Sequence, residues 1–116
     1  MTAMNSPITT HVLDTMSGRP AAGVSVLLEV ESGSGWKKLA TGTTNADGRI
    51  TDLVRKGSLG PRIYRLTFDT GSYFRSAGIQ SFYPFVIVTF EVKEPSTHYH
   101  VPLLLSPYGY STYRGS

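Results

Sequence analysis

Short β-prone runs, each closed by a turn rich in glycine, proline, asparagine or aspartate, set the limits on how this chain folds. Such spacing leaves no room for long helices and favours several short strands. The run at residues 64–68 has the clearest half-buried pattern, because Tyr64, Leu66 and Phe68 alternate with polar neighbours. Seven to eight strands with one short helix predict an all-β fold, a β-sandwich of two sheets.

The turns divide the chain into eight segments that are predicted as strands. They span residues 9–14, 24–31, 36–44, 49–53, 64–68, 82–92, 99–105 and 108–113. Residues 45–48 form a turn, since Asp47-Gly48 supplies the positive φ angles that a hairpin needs. Ser72 is expected to cap a helix of about one or two turns, which Gly78 ends.

The chain is predicted to be one domain. Its 116 residues match the size of a single domain, and no second block of apolar pattern is present that would start another core. Residues 1–116 are therefore taken as one unit, with a flexible N-terminal segment at residues 1–8. A domain of this size has little interior for a large ligand, so a site is expected in a surface groove or between subunits.

Charge and cysteine content exclude several classes of function. The net charge is +3, but the basic residues are scattered in ones and twos, so no nucleic-acid partner is predicted. The absence of cysteine excludes disulfides and thiolate metal sites. The start of the chain lacks a signal-peptide pattern, and no apolar run approaches the ~20 residues of a membrane span. We therefore expect a cytoplasmic protein with no membrane partner.

Three histidines, His11, His98 and His100, are the natural proton carriers near neutral pH. Strand alternation places His98, His100 and Pro102 on one face of the segment at 99–105, opposite the apolar residues of the core face. Strand position alone gives none of the three histidines a function, and alternation in the first strand does not show whether His11 faces the core or the solvent. His98 is interpreted as a surface residue.

Other kinds of site find little support in the sequence. His98 and His100 point the same way, but no third ligand has suitable spacing, so no metal site is predicted. There is neither a Gly-x-Ser-x-Gly elbow nor a glycine-rich phosphate loop. Hydrolysis by activated water, without a cofactor, is the reaction that the residues supply best. Arg49 is either a holder of carbonyl or anionic substrate oxygens or a solvated arginine at a strand start.

Several motifs together resemble the transthyretin-related 5-hydroxyisourate hydrolases, over a stretch from about Thr9 to Ser116. The motif Tyr113-Arg-Gly-Ser116 discriminates within that group, because the hydrolases carry it and the hormone-carrying transthyretins do not. The residues that carry the resemblance are His11-Val-Leu-Asp14, Gly18-Arg-Pro-Ala21, Thr44-Asn-Ala-Asp-Gly-Arg49, Ser81-Phe-Tyr-Pro84 and the segment His98 to Ser116.

The resemblance implies a transthyretin-like sandwich of two four-stranded sheets, a homotetramer (a dimer of dimers), and sites in a channel where subunits meet. It implies hydrolytic ring opening of 5-hydroxyisourate, a small purine-derived substrate in urate degradation. By the same resemblance, His11, Arg49 and His100 form the catalytic set and His98 has no role. The residues implied to shape the pocket are Ser111, Tyr113, Arg114, Gly115 and Ser116.

Two other classes of function stay open at this stage. One is a transthyretin-type carrier of small aromatic ligands without catalysis, and the other is an immunoglobulin-like adhesion or sugar-binding module, which predicts a monomer. Pro102 is an irregular feature in any of these folds, since it has no amide to donate to a neighbouring strand. We expect a local gap in the hydrogen-bond ladder there.

Overall fold

The computed structural model describes residues 6–116 and is an all-β sandwich with one short helix, as predicted. Within this range nine strands are present, two of them only two residues long, where seven to eight were expected. The elements in chain order are β1 Ile8–Asp14, β2 Arg19–Pro20, β3 Ser25–Ser32, β4 Gly35–Thr43, β5 Arg49–Ile50, β6 Ile63–Phe68, α1 Thr70–Ser76, β7 Val86–Glu91, β8 Tyr99–Ser106 and β9 Gly109–Thr112.

The strands form two sheets. The first sheet has the order β2-β1-β8-β9, and β5 also pairs with β1. The second sheet has the order β4-β3-β6-β7. All pairs are antiparallel except β1 and β8, which run parallel in the middle of the first sheet. The implied pair of four-stranded sheets is therefore found, with β5 as a short addition to the first sheet.

The core lies between the inward faces of the two sheets. In β6 the predicted alternation is confirmed, because Tyr64, Leu66 and Phe68 are almost fully buried. Burying side chains of this size stabilises the fold by about 1.5–3 kcal/mol each. The other buried strand residues of the core are Ile8, Val12, Val26, Leu28, Val30, Ile50, Val86, Val88, Tyr99, Val101, Leu103 and Leu105.

Helix α1 is capped by a different residue from the one predicted. The side chain of Asp69, not that of Ser72, is the N-cap, and its Oδ1 atom accepts a hydrogen bond from the Ser72 amide at 3.2 Å. Ser72 therefore lies inside the first turn. Gly78 does follow the helix end with a positive φ of 71°, as expected.

The predicted strand at residues 82–92 is shorter than expected. Strand β7 begins only at Val86, because Pro84 has no amide to donate and Phe82 is 69% exposed. The predicted strand at residues 49–53 is likewise reduced to Arg49–Ile50.

The start of the described chain is part of the sandwich. Residues 1–5 of the segment predicted to be flexible lie outside the described residues. Ser6 is buried, and its hydroxyl donates to the Ile8 carbonyl at 2.6 Å and accepts from the Val54 amide at 3.1 Å. Across residues 6–116, no helix has the length and apolar character needed to cross a membrane.

Candidate active site

The parallel pairing of β1 with β8 brings the sequence-predicted histidines to one face. In this register Thr9 lies beside His100, and His11 lies beside Pro102. Paired residues of neighbouring strands point to the same side of a sheet. Since the alternate residues of β1, such as Val12, are buried in the core, the outward face of the first sheet carries Thr9, His11 and His100.

Arg49 reaches the same face through the turn at residues 45–48. The side-chain oxygen of Asn45 accepts hydrogen bonds from the amides of Asp47 at 2.9 Å and Arg49 at 3.0 Å. Gly48 has the positive φ of 74° that the turn requires. The predicted turn is thus present, but it does not form a hairpin, because β5 pairs with β1 and not with β4. In that pairing Arg49 lies directly opposite His11.

Pro102 interrupts the pairing between β8 and β9 as expected. Strand β9 ends at Thr112, opposite Leu103, and pairing resumes only at His100 and Gly115, in the same register. The two positions in between would pair Pro102 with Tyr113 and Val101 with Arg114, and Pro102 has no N–H to donate. The Thr112 hydroxyl instead donates to the Pro102 carbonyl at 2.7 Å.

Beyond this gap the C-terminal segment returns to the histidine. The Gly115 amide donates to the His100 carbonyl at 2.8 Å. A Cβ atom at Gly115 would lie 2.5 Å from Cδ2 of the His100 ring, which is closer than real contacts allow. Only glycine therefore fits against this imidazole without a shift of the ring or of the segment.

A groove of about 870 Å³ opens beside His100. Its volume falls in the range of small-molecule sites, and most of its lining residues have polar side chains. It does not include His11, which lies two residues further along β1, next to Arg49. The lining residues are Ser6, Pro7, Thr9, Thr10, Arg49, Thr51, Lys56, Gly57, Pro95, Ser96, Thr97, His98, His100 and Ser116.

The environment keeps both site imidazoles neutral near physiological pH. Partial burial lowers the pKa of His100, and the nearby Arg49, His98 and His11 lower it further. Burial, followed by the Arg49 charge, also lowers the pKa of His11, although the backbone and the carboxylate of Asp47 oppose this. A neutral imidazole can accept a proton, which is what activation of water requires.

The structure brings together most of the site residues that the sequence implied. Gly115 contacts His100, and Ser116 lines the same groove. Ser111 in β9 and Tyr113 just after it lie on the same outward face by register, and both are exposed to solvent. Arg114 has the opposite parity, and its guanidinium lies 4.4 Å from the centre of the Tyr99 ring instead of in the groove.

Sequence comparison decides the family. A profile described as Transthyretin, HIUase/Transthyretin family, matches residues 8–115. The chain belongs to the HIUase/transthyretin family. The 5-hydroxyisourate hydrolase of Mus musculus is 47% identical over 118 residues, covering 100% of both chains. The 5-hydroxyisourate hydrolase of Salmonella dublin is also 47% identical, over 100% of this chain and 85% of that protein.

Solved structures of both branches of the HIUase/transthyretin family match the fold. The 5-hydroxyisourate hydrolase of Klebsiella pneumoniae superposes with a TM-score of 0.82 at 39% identity, covering 94% of this chain and 98% of that one. Transthyretin from Sparus aurata superposes with a TM-score of 0.89 at 33% identity, covering 94% and 96%. The fold is therefore common to both branches, and sequence identity is higher to the hydrolases.

Sequence reasoning missed two residues that contact His100 or share its partner. The hydroxyl of Thr9 lies 2.8 Å from Nδ1 of His100 and 2.9 Å from Nε2 of His98. The sequence did place both residues near the site, since alternation puts Thr9 on the face of His11 and His98 on the face of His100. Lys56 also lines the groove, and its place in a loop gave no such signal. Among residues 6–116 no group of three histidine, aspartate or glutamate side chains is arranged to hold a metal.

Proposed function

We propose that this chain hydrolyses 5-hydroxyisourate, opening its six-membered ring to 2-oxo-4-hydroxy-4-carboxy-5-ureidoimidazoline with water and no cofactor. The observation that carries the proposal is the convergence of His11, Arg49 and His100 on one outward sheet face. These residues come from three separate strands, and nothing in the stability of the sandwich requires them to meet. The 47% identity to curated hydrolases over the whole chain supports the same activity.

The two imidazoles supply the proton transfers. One of His11 and His100 takes a proton from the attacking water, and the other, or a neighbouring group, protonates the departing ring nitrogen. Both have a lowered pKa, so either can act as the base at neutral pH, and an imidazole that has accepted a proton can afterwards donate it. No nucleophilic side chain is needed, because the water becomes the nucleophile.

Arg49 stabilises the charge that develops during the attack. Its guanidinium is exposed at the groove and lies opposite His11. A planar fork of N–H donors suits the carbonyl oxygens of a purine-derived ring, and a fixed positive charge offsets the negative charge growing on the attacked carbonyl. The same charge lowers the pKa of both imidazoles. Arg49 therefore both binds the substrate and helps keep the base unprotonated.

The C-terminal segment closes one side of the site. Gly115 allows close packing on the His100 ring, and Ser116 lines the groove. We include Ser111, Tyr113 and Arg114 in the substrate pocket as the resemblance implied, with Arg114 acting from its place over Tyr99. A C-terminal tag is expected to crowd this pocket and impair activity.

A carrier function is the competing proposal, because the fold also matches a sea bream transthyretin solved in complex with thyroxine. The polar groups of the groove argue against a carrier. The groove contains two imidazoles, an arginine and several hydroxyl groups, where an apolar ligand would leave these groups without partners. Binding of thyroxine in equilibrium dialysis, without ring-opening activity, would favour the carrier.

We further propose a homotetramer that works in the cytoplasm. Strands β7 and β9 are unpaired edges of the two sheets, and such edges invite pairing with another copy. Exposed aromatic side chains lie near them, among them Phe85, Tyr110 and Tyr113. A groove that is open in one subunit is then closed by another. Sedimentation at several protein concentrations tests this, and a monomer at all of them would contradict it.

The decisive experiment is a spectrophotometric assay in which urate oxidase generates 5-hydroxyisourate in the cuvette. The protein is expected to accelerate the decay of substrate absorbance well beyond the spontaneous rate. His100→Ala is expected to lower turnover by about 10²–10⁴-fold while the far-ultraviolet circular dichroism stays unchanged. Decay at the spontaneous rate with the unmodified protein would reject the activity, and full activity of His100→Ala would reject the role of that histidine.

A further inference from the structure

The hydroxyl of Thr9 bridges two imidazoles at the edge of the groove. It lies 2.9 Å from Nε2 of His98 and 2.8 Å from Nδ1 of His100. The two rings are nearly parallel, at 24°, with centres 6.2 Å apart. Thr9 is only 6% exposed, whereas His98 is open to solvent. In the described part of the chain these two ring nitrogens are the hydrogen-bond partners of this hydroxyl.

A threonine hydroxyl has one proton to donate, so it cannot donate to both rings at once. If it donates to Nε2 of His98, then His100 must carry its proton on Nδ1, and its Nε2 is a free base. If it donates to Nδ1 of His100, then His98 carries the proton on Nε2, and Nε2 of His100 carries an N–H. The protonation pattern of one ring thereby fixes that of the other.

We propose that His98 and Thr9 form a proton relay that switches His100 between its base form and its acid form. This inference rests on the proposed hydrolysis and assigns two positioning residues to it. Neither residue needs to touch the substrate, because both act through His100. The relay also answers a chemical need, since an imidazole that has just accepted a proton at Nε2 would otherwise be a half-buried cation near Arg49.

The protons balance over the cycle. As the water oxygen bonds to the substrate carbonyl carbon, Nε2 of His100 takes the water proton. Nδ1 of His100 then passes its proton to the Thr9 hydroxyl, which passes its own proton to Nε2 of His98, and His98 releases its Nδ1 proton to solvent. All three groups are neutral, and Nε2 of His100 now carries an N–H.

The collapse of the intermediate runs the relay backwards. The carbon–nitrogen bond of the ring breaks, its electron pair stays on nitrogen, and Nε2 of His100 donates the proton that this nitrogen needs. Thr9 returns a proton to Nδ1 of His100, His98 returns one to Thr9, and solvent restores His98. The new carboxylic acid loses its proton to solvent, so no oxidant, metal or other co-reactant enters the balance.

The surroundings of His100 favour such a relay over a stable imidazolium. The groups that face it are Arg49 from β5, His11 from β1 and His98 from its own segment, and all of them lower its pKa. None of these is an acidic group that would stabilise the protonated ring. A chain of neutral donors and acceptors leading to an exposed imidazole gives the extra proton a way out.

The relay is tested first by comparing Thr9→Val with Thr9→Ser. Valine has the shape of threonine without the hydroxyl, and serine keeps the hydroxyl. Thr9→Val is expected to lower kcat by about tenfold or more with KM within about twofold, and Thr9→Ser to stay within about threefold of the unmodified protein. Thr9→Val with unchanged kcat, or Thr9→Ser as slow as Thr9→Val, would overturn the relay.

A matched control separates the relay from loss of a buried threonine. Thr44 is also buried, and its hydroxyl donates to the Ala21 carbonyl at 2.7 Å and accepts from the Val24 amide at 2.9 Å, away from the groove. Thr44→Val is expected to lower the melting temperature without changing kcat. If Thr44→Val lowers kcat as much as Thr9→Val does, the effect of Thr9 is structural and the relay is rejected.

His98→Ala tests the outer end of the relay. It is expected to match the kcat loss of Thr9→Val, and the double variant should lose no more than either single change, because both break one chain. Added imidazole should restore part of the activity of His98→Ala, since this position is open to solvent. Independent losses that multiply in the double variant would contradict the proposal.

A measurement without substrate keeps the relay apart from the proposed activity. Nitrogen-15 shifts of the unmodified protein report which ring nitrogens carry protons. The relay requires complementary patterns on Nε2 of His98 and Nδ1 of His100, or exchange between the two patterns. Protons on both nitrogens would overturn it whatever the enzyme assay gives, whereas complementary patterns in a protein without ring-opening activity would reject the proposed function alone.

Discussion

The outward faces of the two sheets differ in what surrounds their arginine side chains. On the second sheet, Nε of Arg65 lies 2.7 Å from a carboxylate oxygen of Glu29, and its guanidinium lies 4.2 Å from the centre of the Trp36 ring. That arginine is paired within the sheet. On the first sheet, Arg49 lies opposite His11, and the charge of Arg49 acts on two imidazoles instead of on a carboxylate partner.

This difference separates a face on which the arginine is paired from a face that carries the groups proposed for catalysis. On the second sheet the Arg65 guanidinium is already engaged by Glu29 and Trp36, so it is less suited to hold a ligand. The first sheet keeps a cation beside two neutral bases, an arrangement that adds little to stability and lowers both pKa values. Neighbouring groups with perturbed pKa values on one face are typical of functional sites.

The largest contrast is expected from alanine substitutions on the two faces. His11→Ala is expected to lower turnover by about 10²–10⁴-fold with the fold intact, since it removes a proton carrier. Arg65→Ala is expected to leave turnover unchanged and to cost about 0.2–1 kcal/mol of stability, as for a partly exposed ion pair. The urate oxidase-coupled assay and thermal unfolding measure both, and a large activity loss in Arg65→Ala would break the comparison.

The next effect concerns the contact between Gly115 and His100. Gly115→Ala places a Cβ atom where the ring now lies, so the imidazole or the C-terminal segment must move, and a shift of about 1 Å can cost about 10²-fold in rate. Gly109→Ala in the same hairpin is the control, because its nearest contact would be Ser106 at 3.7 Å. Equal activity of the two variants would show that the close contact has no catalytic value.

A smaller effect is expected from Arg49→Gln on the titration of the histidines. Removing the guanidinium takes away a charge that lowers the pKa of both His11 and His100, so both pKa values should rise. Proton NMR titration follows the ring signals directly. Arg62→Gln is the control, because the Arg62 side chain bonds to the Glu31 carbonyl on the other sheet. A pKa for His100 that is the same in Arg49→Gln and in Arg62→Gln would contradict the coupling.

The smallest effect is on stability as a function of pH. The pKa values of His11 and His100 are lower in the folded protein than the ordinary value of 6.5, so the unfolded chain binds more protons just below that pH. Their contribution to stability is therefore level above 6.5 and falls as the pH drops below it. Denaturant unfolding between about pH 7.5 and 5.5 measures this slope. The double variant His11→Gln/His100→Gln should have a flatter profile, and an unchanged slope would refute the assignment.

Local patterns predicted the sandwich and much of its core. Alternation identified the buried face of residues 64–68 and the outward face of His100, because each depends only on neighbours in one strand. Local pattern failed where the partner of a strand decides the outcome. Residues 49–50 pair with β1 and not with the preceding β4, and the residues of the turn do not determine which strand is the partner. The predicted helix cap, Ser72, was wrong and Asp69 is the cap, since serine and aspartate are both favourable at that position.

The candidate site was predicted from the family motifs more than from local pattern. His11 was ambiguous from parity, because the buried face of β1 also carries the polar residues Thr10 and Asp14, which hides the usual alternation. The bridge from Thr9 to His100 joins residues 91 positions apart and depends on the parallel register of β1 and β8. Such a register follows from packing of the whole sheet, so spacing within either strand does not reveal it.

The proline in β8 separates the paired part of this hairpin from the segment that follows it. Strand β9 pairs with β8 only as far as Thr112. Beyond the gap, one backbone hydrogen bond, from the Gly115 amide, holds residues 113–116 against β8. Because so little backbone pairing holds residues 113–116, changes in that segment should leave the rest of the sandwich intact.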